Sequence, residues 1–124
     1  MTNRLIARAA VAALFAGVLT GLTAPARALE CPLPQPASQA GVIKETPGQI
    51  AELASVLNGA DVTPQIPAII DGLRKRYPSA GSAEIANYLI TAYCPGVDKA
   101  AELSDAQKTA RVDAFSKAVL GVLY

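Results

Sequence analysis

Thr46-Pro47-Gly48-Gln49-Ile50-Ala51-Glu52-Leu53-Ala54-Ser55-Val56-Leu57-Asn58-Gly59 is the stretch on which the fold turns. Thr46, with Gln49 three residues on, makes a capping box, and Pro47 takes the first helical position, where a missing N–H is harmless. Ile50, Leu53, Ala54 and Leu57 then recur at helical spacing, and Gly59 stands where a left-handed cap would close the helix.

The same reading extends toward the C-terminus. Thr63-Pro64 repeats the opening, and Ile66, Ile69, Ile70, Leu73 and Tyr77 fall on one helical face. Pro67 removes a ladder bond, so the regular helix is expected to begin slightly after Thr63, and Tyr77-Pro78 ends it. Ser82 is the expected cap of a third helix, with Glu84 in its first turn, a stripe of Ile85, Leu89, Ala92 and Tyr93, and a stop at Cys94-Pro95-Gly96. Ser104 and Gln107 make a second capping box, and Val112, Phe115, Val119, Val122 and Leu123 are the expected buried face of the fourth helix. Asp98 to Leu103 adds at most a short turn. With no alternating strand pattern, the fold class is all-α: a compact bundle or orthogonal array of about four helices in residues 46–124.

Ahead of the helices, residues 29–45 read as a proline-rich extended arm. Pro32, Pro34 and Pro36 remove backbone donors, which excludes a helix or a central strand. Residues 1–28 read as a cleavable secretory signal peptide. Arg4 and Arg8 form its basic start, Ala9 to Leu22 its apolar run, and Ala26 and Ala28 the small residues before cleavage after Ala28. Cleavage after Ala26 is the alternative site. An uncleaved anchor fits less well, because the run is roughly 14 residues where a spanning helix needs about 20. Acylation of Cys31 is disfavoured by Glu30, a bulky charged residue directly before it.

Cleavage would remove Arg4, Arg8 and Arg27, leaving eight Lys and Arg against ten Asp and Glu, a net charge of −2. Such a domain offers no clustered basic surface for nucleic acid, and no stable membrane span is expected. The one basic cluster, Arg74-Lys75-Arg76, falls at a helix C-terminus, where cations offset the helix dipole. Cys31 and Cys94 are the only cysteines, and in an exported chain an even count reads as a disulfide. The expected location is periplasmic or secreted. Closing a loop of about 60 residues stabilises a domain by roughly 4 kcal/mol in the chain-entropy account.

The chemistry on offer is limited. The chain has no His and no Trp, and its one Met is Met1, so the commonest general base and transition-metal ligand are missing and no cofactor is expected. Asp98, Glu102 and Asp105 are near in sequence but do not match a calcium loop. Ser104 and Lys108 would lie one turn apart, and Glu84 with Asp98 is a conceivable carboxylate pair; neither comes with a catalytic motif.

From Pro67 to Pro95 the chain runs through a helix ending in Tyr77-Pro78, a polar turn, and a helix through Ala83-Glu84-Ile85 and Tyr88-Leu89-Ile90 closing at Cys94. In architecture this resembles small exported one-disulfide helical proteins, among them acid-activated periplasmic chaperones of the HdeA type and immunity proteins of secreted effectors. A chaperone would expose its core as its acids protonate, leaving a charge of about +8. An immunity protein would present a rigid surface to its partner enzyme at neutral pH.

The leading expectation is a non-enzymatic protein-interaction module of the envelope space, chaperone-like, an inhibitor or an accessory subunit, whose partner is another exported protein. Tyr88, if it points away from the Ile85/Leu89 stripe, and Arg74, Lys75 and Arg76 are the candidate contact residues. A carrier of a small apolar ligand, suggested by abundant aliphatic residues with little aromatic filling, is the alternative. A small hydrolase without histidine is the second alternative.

Overall fold

Among the described residues, four helices form where the apolar spacing places them: α1 (Pro47–Leu57), α2 (Ile66–Arg76), α3 (Ser82–Asp98) and α4 (Asp105–Leu123). The computed structural model describes residues 28–33, 43–59 and 61–124. The signal segment, apart from Ala28, and Pro34 and Pro36 of the arm lie outside the described residues.

Both capping boxes are made. Thr46 Oγ1 accepts from the Gln49 N–H at 3.2 Å while Gln49 Oε1 accepts from the Thr46 N–H at 2.8 Å. Ser104 and Gln107 repeat the exchange at 3.3 and 2.9 Å. The other end signals resolve differently. Asn58, not Gly59, closes α1: its N–H and its side-chain amide both donate to the Ala54 carbonyl, and no described glycine takes a positive φ. Thr63 caps nothing. Val62 and Gln65 are both helical in backbone, so neither end residue has the extended geometry that a side-chain cap needs. A 3-10 turn over Thr63–Gln65 leads into α2, with Pro67 in its first turn. At α3 the cap position is Gly81, without a side-chain bond, and Ser82 is already helical.

The expected stop at Cys94-Pro95-Gly96 does not occur; α3 continues to Asp98 with Pro95 inside it. A proline in a helix interior costs about 3 kcal/mol. Against this, Cys94 and Val97 are buried at 0% and 2% exposure, and each large apolar side chain buried contributes about 1.5 to 3 kcal/mol. Tertiary burial therefore outweighs the local break.

α3 is the central helix, with eight buried residues, and it packs on α4 and α1 while α2 packs on α4. Ile66, Ile70 and Leu73 of α2, Ile85, Leu89 and Val97 of α3, and Phe115 and Val119 of α4 make up half of the core. Tyr93 and Phe115 stack with ring centroids 4.0 Å apart. On α4, Val122 turns to solvent and Leu123 alone closes the stripe. α1 differs from the rest, because of its apolar residues only Leu57 is buried. Ile50 and Leu53 are half-buried along its flanks.

Cys31 and Cys94 are bonded, with Cα atoms 5.5 Å apart, which ties the chain around Leu29 to Leu33 to the last turns of α3. At the far side of the arm, the Ile43 N–H donates to Glu84 Oε1 at 2.9 Å, at the start of α3. Among the described residues no helix is long and apolar enough to cross a membrane.

Candidate functional site

Because α1 sinks so little of its surface into the core, a groove runs along each of its flanks. The one toward α2 has a volume of about 430 Å³ and is walled by Leu53, Val56, Ile69 and Tyr88, with Glu45 and Arg76 among its polar residues. Val56 is 46% exposed, so an apolar surface stands open to solvent there.

Glu45 organises this groove. Its side chain is only 2% exposed, and Oε1 accepts from Arg76 Nη1 at 3.0 Å. The Tyr77 hydroxyl stands beside the carboxylate and donates to the Lys44 carbonyl at 3.5 Å. The Arg76 guanidinium lies 6.0 Å from the centre of the Tyr77 ring, within cation–π range. Burial raises the Tyr77 pKa, helped by Glu45 and opposed by Arg76. Burial likewise pushes the Tyr88 hydroxyl up to about 12, helped by the negative charge of Glu45. Both tyrosines therefore stay neutral and able to donate at any physiological pH.

Of the contact residues expected from the sequence, Tyr88 and Arg76 share this groove. Arg74 and Lys75 do not line it; both are exposed, and Lys75 pairs with Asp71 at 2.7 Å along α2. Glu45 was not anticipated. A charged residue directly ahead of a helix cap reads as solvent-facing, and its partner Arg76 lies 31 residues away.

The second groove, of about 570 Å³, lies between α1 and α3. It is lined mostly by small or apolar groups, among them Ile50, Ala51, Ala54, Ala92 and Gly96. Thr91 also lines it, and the Thr91 Oγ1 is buried without a hydrogen-bond partner. The only sequence signal for this feature is Pro95, four residues after Thr91 in a helix.

The other chemical candidates do not assemble. Ser104 Oγ is engaged as the α4 cap, and Lys108 Nζ donates to the Asp98 carbonyl. Glu84 and Asp98 sit near opposite ends of α3, about 21 Å apart at 1.5 Å per residue. Among the described residues no three Asp, Glu, Cys or His gather into a group that could hold a metal ion, so Asp98, Glu102 and Asp105 form no such group.

Comparison with protein-family models, with curated proteins and with solved structures found no match to this chain.

Proposed function

We propose that the protein is exported, loses residues 1–28, and serves as a non-enzymatic protein-interaction module in the periplasm or outside the cell, with the α1–α2 groove as its contact surface. The observation that carries this reading is the convergence of Tyr88, Arg76 and the exposed Val56 on one open groove around a buried Glu45. Tyrosine and arginine over an apolar floor are the residue types that dominate interface energies. The Glu45–Arg76 ion pair fixes one edge of the groove, so little side-chain freedom remains to be lost on binding.

The partner is another exported protein that seats an apolar side chain over Val56 and offers a carboxylate or carbonyl to Arg76. The Arg76 side chain is 60% exposed and uses one nitrogen for Glu45, which leaves N–H groups for a bidentate acceptor. The Cys31–Cys94 disulfide is compatible with an oxidising compartment outside the cytosol.

A photo-crosslinking residue placed at Val56 in cells making the full precursor tests this. The expected result is one dominant adduct, lost when Tyr88→Ala is added and absent when the probe sits at the exposed Asp113 of α4. No adduct from position 56, or the same adducts from both positions, would overturn the reading.

A further inference from the structure

We propose that the α1–α3 groove binds a monoanionic amphiphile, an alkyl chain ending in one carboxylate, with the chain along the apolar walls and the carboxylate paired with Lys99. The site is separate from the α1–α2 groove and does not depend on its role.

The two ends of the groove are unlike because α1 and α3 run in the same sense. Ile43, ahead of α1, bonds to Glu84 in the first turn of α3, while Asn58, at the end of α1, donates to the Tyr93 carbonyl at 3.3 Å. Pro47 and Ile50 therefore line one end, and Ser55 and Asn58 the other. On α3 the lining residues Ala92, Pro95, Gly96 and Lys99 are spaced three and four apart and share one face. A Cβ on Gly96 would collide with the Asn58 side chain, so these two residues sit side by side. Lys99 follows Gly96 by three residues, about 4.5 Å further along, and so stands at the Asn58 end.

Between the ends, Ala51 and Ala54 of α1 line the groove with Ala92 and Gly96 of α3, and these minimal side chains leave it open. From Pro47 to Asn58 is about 16 Å along α1, enough for an extended alkyl chain of medium length. The volume, about 570 Å³, lies within the range of about 300 to 1,000 Å³ common for small-molecule sites.

Charge selects the head of the ligand. Lys99 is the one charged residue that lines the groove, and among the described residues the ion pairs join Lys75 to Asp71 and Arg76 to Glu45, leaving Lys99 without an acidic partner. A cation at a helix C-terminus ordinarily serves the last carbonyls. Here Lys108 Nζ donates to the Asp98 carbonyl and takes that part, so Lys99 is left to the groove. Lys99 is exposed, and its methylene stem extends the apolar wall while the ammonium stays in water. A carboxylate meeting it there keeps most of its hydration, so desolvation does not cancel the attraction. A purely apolar ligand would leave this charge unused, and a cationic one would be repelled.

The test titrates the isotope-labelled mature protein, disulfide intact, with octanoate, 1-octanol and octylammonium, followed by NMR at Ala92 and Gly96. Octanoate is expected to shift both signals saturably, and octylammonium, with the same chain and the opposite charge, to bind more weakly. Lys99→Met keeps the stem and removes the charge at an exposed position, so the fold is not at risk. It should weaken octanoate about threefold to fivefold, the worth of an exposed ion pair, and leave 1-octanol unchanged. Lys117→Met, on the exposed face of α4, should change neither. Ala54→Phe, which fills the groove from its half-buried side, should abolish binding of both. Failure of octanoate to saturate, octylammonium binding as tightly as octanoate, or equal effects of Lys99→Met on octanoate and 1-octanol would overturn the proposal. So would undiminished binding by Ala54→Phe.

Discussion

Replacing Cys31 by alanine removes the cross-link while leaving the Cys94 thiol in the core, where a free cysteine packs as a small apolar group. The bonded residues are 63 positions apart, and closing a loop of that length removes about 4 kcal/mol of chain entropy from the unfolded state. Domains of this size have net stabilities of about 5 to 15 kcal/mol, so the variant should remain folded but with a large part of its margin gone. Cys94→Ser should be worse. It loses the same link and also buries a hydroxyl in a wholly apolar setting, a further penalty of about 1 to 3 kcal/mol. Urea denaturation followed by helical circular dichroism measures both. With a slope of about 1 to 3 kcal/mol per molar urea, the Cys31→Ala midpoint should fall by about 1.3 to 4 M. Native helical content should be unchanged, since the residues around Cys31 form no regular structure. A loss under about 1 kcal/mol in Cys31→Ala would refute the reasoning, because the loop argument depends only on sequence separation.

The raised pKa of Tyr88, about 12 against 10 for the free side chain, means that the unfolded chain loses this proton first. The contribution is therefore complete below about pH 10 and falls away between about pH 10 and 12, and Tyr88→Phe should flatten that part of a urea-midpoint profile taken from pH 9 to 12. Asp61 is the one described non-glycine residue with a positive φ, at 34°. Asp61→Gly should be neutral or stabilising in thermal denaturation and Asp61→Val should lose about 1 to 2 kcal/mol, because a branched side chain tolerates that backbone poorly. Gly96→Ala should destabilise by about 1 to 3 kcal/mol through its clash with Asn58. In an Asn58→Ala background the same change should stabilise by about 0.5 to 1 kcal/mol through helix propensity, a reversal of sign that a double-mutant cycle would detect.

What the sequence made legible is what is decided within a few residues. The Thr46 and Ser104 boxes each need only four consecutive positions, and both form. Cys31 and Cys94 required only a count and a compartment, and they are bonded. The helix ends that were misread are those settled by contacts distant in sequence. Pro95 looks like a stop until Val97 and Cys94 are seen in the core. Gly59 looks like a cap until Asn58 is seen bridging to the Tyr93 carbonyl, 35 residues away. The candidate contact residues divide in the same way. Tyr88 and Arg76 were picked by residue type, but that they share a groove while Arg74 and Lys75 do not is set by how α1, α2 and α3 pack. Glu45 owes its importance wholly to burial, which no local pattern announces.

The central claim is that the α1–α2 groove is where a partner protein binds. It is tested most directly by the affinity of the captured partner for two single variants. Tyr88→Ala, inside the groove, should weaken binding by about tenfold to thirtyfold. Arg74→Ala, two residues from Arg76 but outside the groove, should leave it within about twofold. Equal losses in the two variants, or a loss in Arg74→Ala alone, would contradict the account.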